Sequence, residues 1–262
     1  LSDEIFSKNV PILVTVCPIS SAIIRIELSD TRKAKDWKEH WECIEDNGYF
    51  AMYMVTDEGT GLRSAHKESF SDIIRQPDTY HSIAHQLGYW VSILEKAACK
   101  AIELEYDRYK KIDSAKSDKV IDKRIDDYEK TKKIADEKAE LYDMFNELYV
   151  CLIEELKIFD ENGNLRNRKK AEENLKIWLD IIEELGKESL TSVVKKIRRV
   201  LPELFNYFDV AKSIVSELKK LPFDQEALQA LCLAWQWKKG RIKAKKSKAK
   251  KYCSEKEQDC LE

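Results

Sequence analysis

The sequence predicts an α+β protein that is predominantly helical, with a small α/β portion in front of a large all-α portion. Three observations carry this. Short β-branched runs such as VPILVTV (10–16) and AIIRIEL (22–28) are confined to the region before residue 82. From about Ser82 onward nearly every window places apolar residues at i, i+3, i+4 and i+7, the spacing of one helix face. The 262 residues include only seven glycines and five prolines, so breakers are few, and the 43% that are hydrophobic can supply a core.

Taken in order, Asp3 stands just before Ile5 and Phe6, on a first strand. The runs 10–16 and 22–28, separated by Pro18, Ser20 and Ser21, form a hairpin-like pair. In DTRKAKDWKEHWECIEDNG, Asp30 or Thr31 can cap a helix, Trp37, Trp41 and Ile44 fall at helical spacing, and Asn47-Gly48 stops it. YFAMYMV then reads as a buried strand with Asp57 at its carboxyl end. Gly59 and Gly61 permit a turn into the short helix GLRSAHKESF, Pro77 breaks the chain, and DTYH is a short strand or turn. Helices follow at about 82–110, 118–158, 167–185, 189–207, 208–219 and 224–244, with FDENGN as a turn and Pro202 as a kink or break. His40 and His66 are expected on solvent-facing sides of amphipathic helices. The expected domains are a sheet-bearing core at 1–81, a helical domain at 82–244 and a basic tail at 245–262.

The 46 basic and 48 acidic residues nearly cancel, but KKGRIKAKKSKAKK (238–251) carries bases without an acid. Such a patch suggests a polyanionic partner bound by counterion release. Seven cysteines without metal-ligand spacing indicate free thiols, as in a reducing cytoplasm. The longest apolar runs fall short of the roughly 20 residues of a membrane helix, so no membrane partner is expected. A start at Leu1, closely followed by Asp3 and Glu4, suggests the interior of a longer reading frame.

Chemistry is expected at Asp57 and Asp3. Side chains at the carboxyl ends of strands in an open sheet project into a crevice. Two carboxylates from neighbouring strands can share Mg2+ or Mn2+, for which oxygen-only ligands are suited. The simpler reading of Asp57 is a cap accepting from the amide of Gly59 or Thr60, and that of Asp3 is a solvated terminal acid. If the two carboxylates stand within about 7 Å, a shared metal site is feasible.

The order of these features resembles the RNase H-like transposases with DDE chemistry, in particular bacterial insertion-sequence enzymes with a helical insertion. The carrying residues are Asp3 in SDEIF, Asp57 in MVTDEGTGLRSAH, and Asp78 with His81 in PDTYHSIAHQLG, which matches a C/D-x-x-H element. The resemblance implies an incomplete RNase H-like core followed by an all-α insertion, with Asp3 and Asp57 as the first and second metal-binding acids. It implies DNA as partner, a homo-oligomer on paired DNA ends, and a third acid on a helix after the insertion. The late glutamates that could serve are Glu255, Glu257 and Glu262, and none follows a fresh strand, so the third acid is expected beyond residue 262. The simpler role for Asp78 and His81 is to order the start of a helix. Trp235 and Trp237 either stack on a flipped base or fill the helical core, and at least one should be partly exposed. Lys238, Lys239, Arg241, Lys243, Lys245 and Lys246 are the leading DNA contacts. The alternative is a non-catalytic helical nucleic-acid-binding or scaffolding protein, including a truncated transposase remnant, in which the acids are only caps.

Overall fold

In the computed structural model the backbone is described for residues 1–185 and 188–247, with side chains described except at 188–189 and 237–247. The protein is α+β. It forms two compact units: one comprises Leu1–Ser82, Glu155–Lys176 and the described residues from Arg198 on, the other Ile83–Glu154 and Ile177–Ile197.

The first unit is built on β1 (Ser2–Ser7), β2 (Val10–Val16), β3 (Ile23–Leu28), β4 (Tyr53–Thr56) and β5 (Ile74–Pro77), in sheet order β3-β2-β1-β4-β5. β1, β2 and β3 pair antiparallel, while β4 lies parallel to both β1 and β5. The β1–β2 turn is the two residues Lys8 and Asn9, with φ of 50° and 69°, which is the left-handed pair that matches strand twist in a tight hairpin.

Helix α1 (Ala34–Asp46) covers the sheet face that carries Ser2, Leu13 and Thr15. Trp37 and Trp41, four apart, meet Leu13, Met54, Leu62, Ala65 and Phe70 in a buried cluster. Helix α2 (Thr60–Ser69) supplies Leu62 and Ala65 to it. The N-cap of α1 is Lys33, not Asp30 or Thr31; the Asp36 carboxylate reaches back to the Lys33 amide at 2.9 Å, and Thr31 hydroxyl donates to that same carboxylate. Gly48, at φ 82°, ends the helix as the sequence leads one to expect.

Four further expectations are corrected. Strand β4 begins only at Tyr53, because its parallel partner β5 spans four residues; Tyr49, Phe50 and Met52 are left exposed. β5 itself falls where no strand is expected, since two of its four residues, Arg75 and Gln76, are polar and buried. DTYH is neither strand nor simple turn: the Asp78 amide closes the ladder on Thr56 carbonyl, and Tyr80–Ala84 forms a π-helical turn leading into α3 (His85–Ile112). Pro202 does not break its helix. It lies in the last turn of α6 (Glu188–Leu204), where only two helical residues follow it, and its carbonyl accepts from Arg168 Nη2 at 3.1 Å.

His40 and His66 are also corrected, as both are buried. His40 bridges Thr15 Oγ1 (3.0 Å) and Glu27 Oε2 (3.1 Å), so α1 is tied to β2 and β3; His66 Nε2 meets Ile73 carbonyl at 2.8 Å. Burial lowers both pKa values below the ordinary 6.5, partly opposed by Glu27 at His40 and by the Ile73 carbonyl at His66. The unfolded chain therefore takes up these protons more readily than the folded one. Stability from both rings is full above about pH 6.5 and is lost as pH falls through the lower folded values. Ring-proton NMR titrations should give both midpoints below 6.5, and a midpoint at or above 6.5 for each would remove the effect.

The rest of the first unit includes a tight turn at 159–164, where Asp160 Oδ1 accepts the amides of Asn162 and Asn164 and Gly163 has φ 76°. Phe159 beside it packs with Val215 of α7 (Asn206–Leu218) and with Leu228 and Cys232 of α8 (Gln225–Ser247). The second unit is helical. In it α3 and α4 (Asp118–Glu155) are joined through a short connection, where Arg124 reaches Ser114 Oγ at 2.9 Å and Lys111 carbonyl. α5 (Arg168–Glu184) runs from the first unit into the second. Cys17, Cys43, Cys99, Cys151 and Cys232 are free thiols. No helix among the described residues is long and apolar enough to cross a membrane.

Candidate functional site

Register builds the site. Ser2, Thr56 and Pro77 lie side by side across β1, β4 and β5, so the residues that follow them are brought to the same end of the sheet: Asp3 within β1, and Asp57 and Asp78 just past the ends of β4 and β5. β4 leaves the sheet after Thr56 while β1 continues to Ser7, so the β1 edge beyond Ser2 is uncovered on that side. The Glu4 amide is satisfied there by Asp3 Oδ1 at 2.8 Å. Asp57 Oδ1 accepts the Gly59 amide at 2.8 Å as expected, but Asp57 is not the cap: the N-cap of α2 is Gly59, and this contact closes the turn just before it.

One carboxylate oxygen each from Asp3, Glu4 and Asp57 lie within 4.8 Å of one another, all three residues being half-buried. Glu4, which sequence reasoning overlooked, turns its side chain inward to 6% exposure and pairs through Oε1 with Arg32 at 2.8 Å. Its other oxygen, Oε2, is buried without a hydrogen-bond partner. The only signal for it was adjacency to Asp3. Glu4 and Arg32 line a cleft of about 230 Å³ with Gly59, Thr60, Gly61 and Leu62. The two glycines serve close approach here: a Cβ on Gly61 would stand 2.0 Å from Arg32 carbonyl oxygen, and one on Gly59 would stand 2.9 Å from Asp57 Oδ1.

The electrostatics match crowding of acids. Burial pushes the Asp3 carboxyl above its usual range; Asp57 and Asp78 add to this, against the Glu4 amide and His81. Glu4 is likewise raised by burial, with Asp57 and Asp3 adding and Arg32 opposing. Both shifts favour the neutral carboxyl relative to a free side chain, and a positive charge among these oxygens would oppose them.

Asp78 is engaged differently. Oδ1 accepts the Tyr80 amide at 2.8 Å and Oδ2 meets His81 Nδ1 at 2.9 Å, so both oxygens are used in ordering the π-helical turn. Arg75, also overlooked, is the hub behind the acids. Its guanidinium, 5% exposed, reaches Thr56 Oγ1, Asp57 carbonyl and Glu58 Oε1 at 2.8 Å each, and Glu203 Oε2 at 2.5 Å. Glu58 thus pairs inward with Arg75 and, at 3.6 Å, with Arg63.

Trp235 is 45% exposed and meets Phe159 edge to face at 6.1 Å between centroids. Trp237, Lys238, Lys239, Arg241, Lys243, Lys245 and Lys246 lie on the described backbone of α8, but their side chains are outside the described residues. The remainder of the basic stretch, with Glu255, Glu257 and Glu262, is outside them altogether. In comparisons with known proteins, no family model, curated protein or solved structure matches the chain.

Proposed function

We propose that the chain is part or all of an RNase H-like DDE transposase, cutting and joining DNA phosphodiesters with divalent cations held by Asp3 and Asp57. The observation that carries this reading is the meeting of these two acids from adjacent parallel strands, well inside the 7 Å that a shared cation allows. The sheet order, with the acid-bearing β1 central and β4 beside it, is compatible with the RNase H-like core that the sequence resembles.

The donor set also fits. Asp3 and Asp57 each commit one oxygen to a backbone amide and keep the other without a hydrogen bond among the described residues. Those amides fix the carboxylates' orientation, and Arg75 holds the Asp57 backbone through its carbonyl. Mg2+ or Mn2+ bound there would help activate a water or 3′-hydroxyl and stabilise the leaving oxygen. Asp78 and His81 would order the flank of the site. The exposed part of Trp235 would offer a stacking surface for a base, and the bases of 238–251 would neutralise phosphates of DNA, on which the protein acts as a homo-oligomer.

The test is nicking of supercoiled plasmid by the chain in Mn2+. Asp3→Asn and Asp57→Asn should each lower the rate by about 10²–10³-fold, the order seen when one transition-state-stabilising group is removed. Equal nicking by wild type and Asp57→Asn would exclude this site. No nicking by wild type would favour the non-catalytic DNA-binding reading.

A further inference from the structure

The orphaned oxygen of Glu4 has no role in a site made of Asp3 and Asp57 alone. We propose that Glu4 is a third carboxylate ligand, so that Asp3, Glu4 and Asp57 together hold one divalent cation within this chain. This rests on the reading of Asp3 and Asp57 as cation ligands and adds a residue to it.

Three features support it. First, the three carboxylates divide their oxygens in the same way. Asp3 Oδ1 takes the Glu4 amide, Glu4 Oε1 takes Arg32, and Asp57 Oδ1 takes the Gly59 amide. The second oxygen of each has no hydrogen bond among the described residues, and for Glu4 it is buried in a side chain only 6% exposed. A buried carboxylate oxygen left so costs free energy that a cation would recover.

Second, charge balances. When ionised the three carboxylates carry three negative charges, and Arg32 is the one cationic side chain bonded to them among the described residues; Arg75 touches Asp57 only at its carbonyl, and His81 bonds to Asp78. The two negative charges left match one divalent ion. Third, the oxygens are close. Oxygens on Mg2+ stand about 3.0 Å apart when adjacent and about 4.2 Å apart when opposite, at its bond length of roughly 2.1 Å. One oxygen from each of the three carboxylates lies within 4.8 Å of the others, so the cation would have to draw them together by about an ångström or more. Asp78, with both oxygens engaged, is no part of the set.

The experiment is Mn2+ titration of the chain at neutral pH without DNA, with free Mn2+ read by electron paramagnetic resonance and folding checked by circular dichroism. Glu4→Gln keeps an oxygen acceptor for Arg32 and should weaken Mn2+ binding by at least about 10-fold, as should Asp3→Asn and Asp57→Asn. Glu217→Gln, at the exposed pair with Lys220, should stay within about 3-fold of wild type. Arg32→Gln, which leaves Glu4 charged at an exposed partner, should retain or tighten binding. If Glu4→Gln binds like wild type while Asp57→Asn does not, the Glu4 role is overturned and the Asp3–Asp57 reading stands. If Arg32→Gln loses binding as fully as Glu4→Gln, the pair is merely structural and the Glu4 role again falls. If wild type binds no Mn2+, both fall.

Discussion

Arg75→Met should destabilise the first unit by about 3–5 kcal/mol, the range for breaking a buried charge pair by removing one partner. The side chain makes four bonds while 5% exposed, and methionine fills its volume without replacing any of them. Glu58 would retain only Arg63 at 3.6 Å, and the Thr56 hydroxyl and Asp57 carbonyl would lose this donor. Arg75→Lys keeps the charge but not the planar fork, so its loss should be intermediate. Urea unfolding followed by circular dichroism measures both, and a loss below about 1 kcal/mol for the methionine variant would show the hub to be dispensable. Because Arg75 grips the backbone of Asp57, Mn2+ affinity should fall in the variants that still fold.

Trp41→Ala should cost a similar 3–5 kcal/mol, by loss of buried area and the cavity left behind. Trp41 packs on Trp37 and edge to face on Phe70, and its Nε1 donates to Ser2 Oγ at 3.1 Å. Ser2 immediately precedes Asp3, so this one indole joins the core to the site. Trp41→Phe keeps one ring against Trp37 and Phe70 but loses the donor and the rest of the indole. Since Ser2 Oγ still meets Thr15 Oγ1 at 2.9 Å, the cost should fall to about 1–3 kcal/mol, below that of alanine. Equal losses for the two variants in thermal or urea unfolding would mean that a ring at this position contributes nothing by itself.

What could be read in the sequence followed from local chemistry. The runs 10–16 and 22–28 are apolar and β-branched, and the helices repeat their apolar residues with a helical period, so these elements were legible. So was the placing of Asp57 where a strand ends. β5 was not, because Arg75 and Gln76 look like surface residues. Their burial depends on Glu203 and Leu204 carbonyl, 128 residues away in the chain, which no local window contains. His40 was misjudged for the same reason: its partners, Thr15 and Glu27, sit on two other strands. Glu4 was hidden because strand alternation argues that neighbours point to opposite faces. The early end of β4 leaves an open edge at which side chains of both faces converge.

The Lys8–Asn9 turn, at the opposite end of β1 from Ser2 and Asp3, acts as the ruler of the hairpin. It sets Ser7 opposite Val10 and, through that ladder, Ser2 opposite Thr15, the same Ser2 that pairs with Thr56 on the other side. A slip of one residue would exchange faces along β1, sending Asp3 toward the indoles and Ser2 or Glu4 into its place. Insertions at this hairpin would therefore be read out, a full strand length away, as a change in which acid faces Asp57.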